Sequence, residues 1–118
     1  MPYEIWTDPR FQRELDELAE RDRNDVIEDV NGLIDHPLEH PQLVRVKGTA
    51  YPGSFRLRAG RFRVMGLVLD GPELILLTMV FLKKRELDYD QAIKRNEGRM
   101  RLQGPPLDEY VKSARRRR

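Results

Sequence analysis

The chain has 118 residues, a net charge of +2 and no cysteine. That length makes one domain with a real core and is too short for two. Without cysteine there is no disulfide framework, thiolate chemistry or zinc–cysteine site, and a reducing cytoplasm is the expected compartment. No N-terminal stretch reads as a signal peptide, and no apolar run approaches the roughly 20 residues of a membrane span. The small net charge hides an asymmetry: residues 1–40 carry −8 and residues 41–118 carry +10. Such a division points to one surface for a polyanion and another that keeps away from it, which favours a nucleic-acid binder over a metabolite enzyme.

In chain order, residues 3–7 read as a short first strand. Asp8-Pro9 predicts a helix start, with Asp8 as N-cap and Pro9 in the first helical position. Phe11, Leu15 and Leu18 recur at helical spacing, and a second stripe of Val26, Ile27, Val30, Leu33 and Ile34 runs to the stop at His36-Pro37. The polar knot Asp22-Arg23-Asn24-Asp25 between the stripes suggests a helical hairpin, with one long kinked helix as the alternative. Residues 37–54 hold Pro37, Pro41, Gly48, Pro52 and Gly53 and read as loop, with a short strand at residues 43–46. After a central arginine-rich segment, Asp70-Gly71-Pro72-Glu73 signals a turn. Residues 74–82 are almost continuously apolar, as in a strand covered on both faces. Residues 88–101 look helical, and Gly104-Pro105-Pro106 breaks the chain. Leu107, Tyr110, Val111 and Ala114 then recur at helical spacing before four terminal arginines. Two readings stand for that tail: a docked helix with a phosphate-touching end, or a disordered basic segment. The expected architecture is α+β, an N-terminal helical hairpin packed on a small antiparallel sheet with a C-terminal helical extension.

The central segment is Phe55-Arg56-Leu57-Arg58-Ala59-Gly60-Arg61-Phe62-Arg63-Val64. Alternation with period 2 on both sides of Ala59-Gly60 predicts a hairpin with a two-residue loop there. That register pairs Leu57 with Phe62 and Phe55 with Val64 on one face, and Arg58 with Arg61 and Arg56 with Arg63 on the other. Like charges opposite one another are destabilising, a cost most easily understood if a polyanion sits on the patch. The competing reading is a solvated basic face. Pairing of the next two strands through the Gly71 turn brings Lys83, Lys84 and Arg85 beside the hairpin. Tyr89 either stacks on a base there or packs down into the core.

Other chemistry is scarce. His36-Pro37-Leu38-Glu39-His40 has the letters of a zinc-peptidase motif, but Pro37 and Pro41 leave no helix on which both imidazoles could face one metal, so it reads as a proline-bounded loop and no metal or cofactor is expected. There is no G-x-S-x-G, P-loop or dinucleotide fingerprint, and no arrangement suggests a triad.

Together, Val46-Lys47-Gly48, Phe55-Arg56-Leu57-Arg58, Arg61-Phe62-Arg63-Val64, the apolar strand, Lys83-Lys84-Arg85 and Tyr89-Asp90-Gln91-Ala92-Ile93-Lys94-Arg95 resemble the RelE/ParE superfamily of type II toxins. Phe81-Leu82-Lys83-Lys84 is similar to its HigB-type branch. The resemblance implies a toxin-like domain over residues 1–97 and a basic extension over 98–118. It also implies a metal-independent endoribonuclease (an mRNA interferase) that cuts ribosome-bound mRNA and is held inactive by a cognate antitoxin. Either a homodimer or a toxin–antitoxin hetero-oligomer is compatible with it. The RNA's own 2′-hydroxyl would attack the adjacent phosphate, leaving the protein to stabilise charge and move protons. On this resemblance Arg63 and Arg85 clamp the phosphate, and Tyr89 stacks on or orients the nucleotide. Arg56 and Arg58 stand where the RelE branch has lysines, and Lys47, Arg61 and Lys83 add RNA contacts. Arginine does not give up its proton, so Lys83 or Lys84 becomes the candidate base. Two alternatives keep part of the pattern: a non-catalytic RNA- or ribosome-binding module, and a ParE-like gyrase inhibitor.

Overall fold

The computed structural model describes residues 2–46, 51–83 and 87–101, with residues 87–90 described by backbone alone. Asp8 opens the first helix as predicted: its extended backbone turns the chain, and its carboxylate accepts a hydrogen bond from the Arg10 backbone N–H at 2.8 Å. The elements are β1 (Glu4–Thr7), α1 (Pro9–Asp16), α2 (Glu20–Asn31), a 3₁₀ turn at Pro37–Glu39, β2 (Leu43–Arg45), β3 (Ser54–Ala59), β4 (Phe62–Leu69), β5 (Leu74–Leu82) and α3 (Leu87–Arg101).

The break between α1 and α2 falls at residues 17–19, not at the polar knot. The knot lies within α2, where Glu20 and Asp22 occupy the first turn and suit its positive end. Its polar residues are compatible with helix because Val26 and Val30 alone supply the buried stripe.

The five strands form one sheet in the order β1-β5-β4-β3-β2. β2 to β5 are antiparallel neighbours, but β1 pairs with β5 in parallel, so the sheet is mixed where an antiparallel one was expected. After β1 the chain crosses the sheet through both helices and enters at the far edge. Four antiparallel strands then bring it back alongside β1. β5 is therefore interior, and its first seven residues are buried, as its almost continuous apolar run predicts.

On one face of the sheet, Phe11 and Leu15 of α1, Val26 and Val30 of α2 and Leu33 pack against Phe55, Leu57, Val64, Ile75 and Leu77. On the other, Ala92 of α3 packs on Met65 and Met79, and Met100 closes over Tyr51, Leu67, Leu69, Leu74 and Leu76. A bulge lets β5 serve both layers. Met65 faces Met79 and Gly66 faces Leu77, which leaves Thr78 unpaired in the ladder. The Thr78 hydroxyl bonds the Met65 carbonyl at 3.1 Å and the Asn96 side chain of α3, both within the core. Gly66 sits at the same point because a Cβ there would come within 2.2 Å of the Leu76 carbonyl oxygen.

Candidate nucleic-acid interface

The hairpin between β3 and β4 turns on Gly60-Arg61, one residue later than predicted, with Ala59 opposite Phe62. Gly60 has φ +61° whereas Arg61 is not in the left-handed region, the pattern of a type II′ turn, which requires glycine in its first central position. Each β4 residue therefore lies two places from its predicted partner. A shift of two preserves the faces, so Leu57 now opposes Val64, Arg58 opposes Arg63 and Arg56 opposes Met65.

Arg61 thereby leaves the patch for the turn. Its guanidinium pairs with Asp22 of α2 at 3.0 Å and lies 5.4 Å from the centre of the Phe62 ring. Arg56, Arg58 and Arg63 come together, lining a shallow cleft of about 330 Å³ with Pro41, Gln42 and Val44. Arg63 is anchored by its Nη1, which donates to the Gly60 and Phe62 carbonyls at 2.9 and 2.8 Å. The cleft opens where the sheet face covered by α3 runs out towards the hairpin: Met65 lies under Ala92, and Arg63, two residues earlier on the same face, is only half-buried.

Lys83 follows the end of β5, and its backbone N–H donates to the Arg61 carbonyl at 3.2 Å, next to the hairpin as the strand pairing predicts. Lys47, Lys84 and Arg85 lie outside the described residues, as does the side chain of Tyr89, whose backbone is in α3. His36 and His40 flank the 3₁₀ turn and do not face each other across a helix. His36 Nδ1 lies 3.9 Å from Glu39, and His40 Nδ1 accepts from the Gln42 backbone N–H at 3.1 Å.

Sequence reasoning missed the second wall of the cleft. Residues 41–44 carry no charge or motif, and only the pairing of Val44 with Arg56 puts them beside the arginines. The wall is tied to the floor: the Arg58 N–H donates to the Gln42 carbonyl at 3.0 Å. Oriented to satisfy its surroundings, the Gln42 amide nitrogen donates to the Arg58 carbonyl and to Asp29 Oδ1, each at 3.3 Å. Partial burial pushes the Asp29 carboxyl above its ordinary value, a shift opposed by His40 and reinforced by Glu28 and Asp25.

Neither a family model nor a curated protein matches the sequence. Solved structures do. The archaeal RelE–RelB complex from Pyrococcus horikoshii aligns with a TM-score of 0.63 at 20% identity, over 72% of this chain and 99% of that one. The isolated RelE toxin of Escherichia coli aligns at 0.60 and 21% identity, over 79% and 97%. The RelBE2 toxin–antitoxin complex from Mycobacterium tuberculosis aligns at 0.59 and 21% identity, over 70% and 100%. The chain has a RelE-like fold. The arginine cleft thus belongs to a RelE-like sheet whose two faces are unequally covered, and Arg56, Arg58 and Arg63 occupy the less covered end.

Proposed function

We propose that this RelE-like chain is the toxin of a type II toxin–antitoxin pair, and that it cuts mRNA on the ribosome by helping the 2′-hydroxyl attack the adjacent phosphate. The observation that carries this reading is the convergence of Arg56, Arg58 and Arg63 in one cleft on a RelE-like fold. Three guanidiniums supply fixed, planar donors to phosphate oxygens and oppose the extra negative charge that the phosphorane gains over the ground state. Arg58 and Arg63 stand directly opposite each other, and a phosphate bound between them would offset their mutual repulsion. Arg85 and Tyr89 complete the clamp and the base platform in this proposal, with Lys47 and Lys83 as further RNA contacts. Lys83 or Lys84 takes the proton-transfer role. The partner that silences it would be an antitoxin, as in the RelE–RelB complexes it resembles.

One observation favours a second reading. Every ionisable group among the described residues lining the cleft is an arginine, which binds phosphate but does not act as a base. A module that binds RNA or the ribosome without cutting needs no more than that. Inducible expression separates the readings, with mapped mRNA 5′ ends, translation and plasmid supercoiling as readouts. The toxin reading expects new 5′ ends within coding regions and unchanged supercoiling. Blocked translation with intact mRNA would favour the binding module, and altered supercoiling would overturn both.

A further inference from the structure

We infer that the second wall of the cleft, Pro41 and Gln42 with Val44 of β2, holds the base of the nucleotide whose phosphate sits on Arg56, Arg58 and Arg63. This inference rests on the RNA-binding reading above. Three large apolar side chains are exposed among the described residues, Trp6, Ile27 and Val44, and Val44 alone of these lines the arginine cleft, at 48% exposure. An edge strand ordinarily presents charge to solvent, so a bare valine directly opposite Arg56 is the anomaly to explain. Val44 and Pro41 offer an apolar surface for the face of a base, within one nucleotide's length of donors for its phosphate. A volume of about 330 Å³ suits one nucleotide and not an extended stretch of RNA.

Gln42 holds the wall in place. Its backbone is pinned on both sides, by the His40 ring and by the Arg58 N–H. Its amide nitrogen is occupied by the Arg58 carbonyl and Asp29. These links tie the wall to β3 and to α2 and hold Val44 beside the arginines. Gln42 acts here as a positioning residue, while Val44 and Pro41 provide the contact area.

Titration of the full chain with ribose 5-phosphate, CMP and UMP, followed by backbone amide shifts at fixed ionic strength, tests the subsite. Ribose 5-phosphate carries the phosphate and sugar without the base. Both nucleotides are expected to bind about fivefold tighter than ribose 5-phosphate, through the apolar area covered. Val44→Ser should bring the three within twofold of one another at an unchanged thermal midpoint. Arg58→Ala should weaken all three together. Equal binding of the three by the unaltered protein, or a nucleotide advantage that survives Val44→Ser, overturns the base subsite and leaves the phosphate clamp standing. Binding of all three that is absent, or indifferent to Arg58→Ala, removes the clamp and the subsite with it.

Discussion

Arg58 and Arg63 face each other directly across the β3–β4 ladder, the pair in which site and stability are most clearly opposed. Replacing Arg58 by threonine removes the like-charge contact and puts a good strand former in its place. Arg58→Thr is expected to raise unfolding free energy by about 0.5 kcal/mol. It should also weaken RNA binding and reduce the slope of log affinity against log salt by about one. Denaturant titration and binding at several salt concentrations measure the two effects. Asp29 behaves differently. Burial raises its pKa above the ordinary value of 3.8, so the folded state holds the proton more tightly than the unfolded one. The ionised carboxylate thus costs stability above its folded pKa, and the cost fades as pH falls through that value. Asp29→Asn keeps an acceptor for Gln42 and is expected to be more stable than the original protein at pH 7. The difference should shrink towards pH 4, which unfolding curves at the two pH values will show.

Among the elements, β5 is the one on which both helical layers depend. Its bulge at Thr78 and the close approach at Gly66 leave no room for a methyl group. Gly66→Ala is expected to lower stability by about 3 kcal/mol through strand displacement, measured by thermal or denaturant unfolding. Beyond Thr7, where its pairing with β1 ends, β5 is closed by side chains. The Arg99 guanidinium of α3, 11% exposed, donates to the Thr78 carbonyl at 2.6 Å and to both oxygens of Glu14 of α1 at 2.6 and 3.0 Å. The Val80 N–H reaches the same carboxylate at 3.4 Å. Arg99→Met leaves Glu14 half-buried without its main partner and should cost about 2 kcal/mol, part of which Glu14→Gln in the same chain restores, a double-mutant cycle that calorimetry can close.

These elements differ in how far the sequence discloses them. The Asp8-Pro9 helix start, the period-2 hairpin and the continuous apolar strand are local patterns with one physical solution each, and all three form. The hairpin register shifted by two because glycine's place in a type II′ turn outranks the symmetry of the arginine pattern, yet the faces survived because both registers share the same parity. The helix break was misplaced because charge on a solvent face resembles a break. β1's direction and the β2 wall of the cleft are set by pairing partners distant in the chain, which no local pattern encodes.

At the scale of the molecule, the sheet separates two charge environments. The acidic first forty residues, with a net charge of −8, supply α1 and α2 on one face, while Arg56, Arg58 and Arg63 emerge on the other. Such a division orients the molecule towards a polyanion with the cleft leading. Asp22 and Glu14 hold Arg61 and Arg99 away from that task. The proposed chemistry places its demands on positioning and fixed charge, and in that proposal substrate held on a ribosome would supply much of the positioning. The most direct test is to incubate the chain with programmed ribosomes and with the same mRNA free in solution, both in EDTA, and to map the RNA ends at nucleotide resolution. The account predicts cuts only on the ribosome-bound message, each leaving a 2′,3′-cyclic phosphate or its opened form, and their disappearance in Arg63→Ala at unchanged thermal stability. Intact ribosome-bound mRNA, or cleavage undiminished in Arg63→Ala, would contradict it.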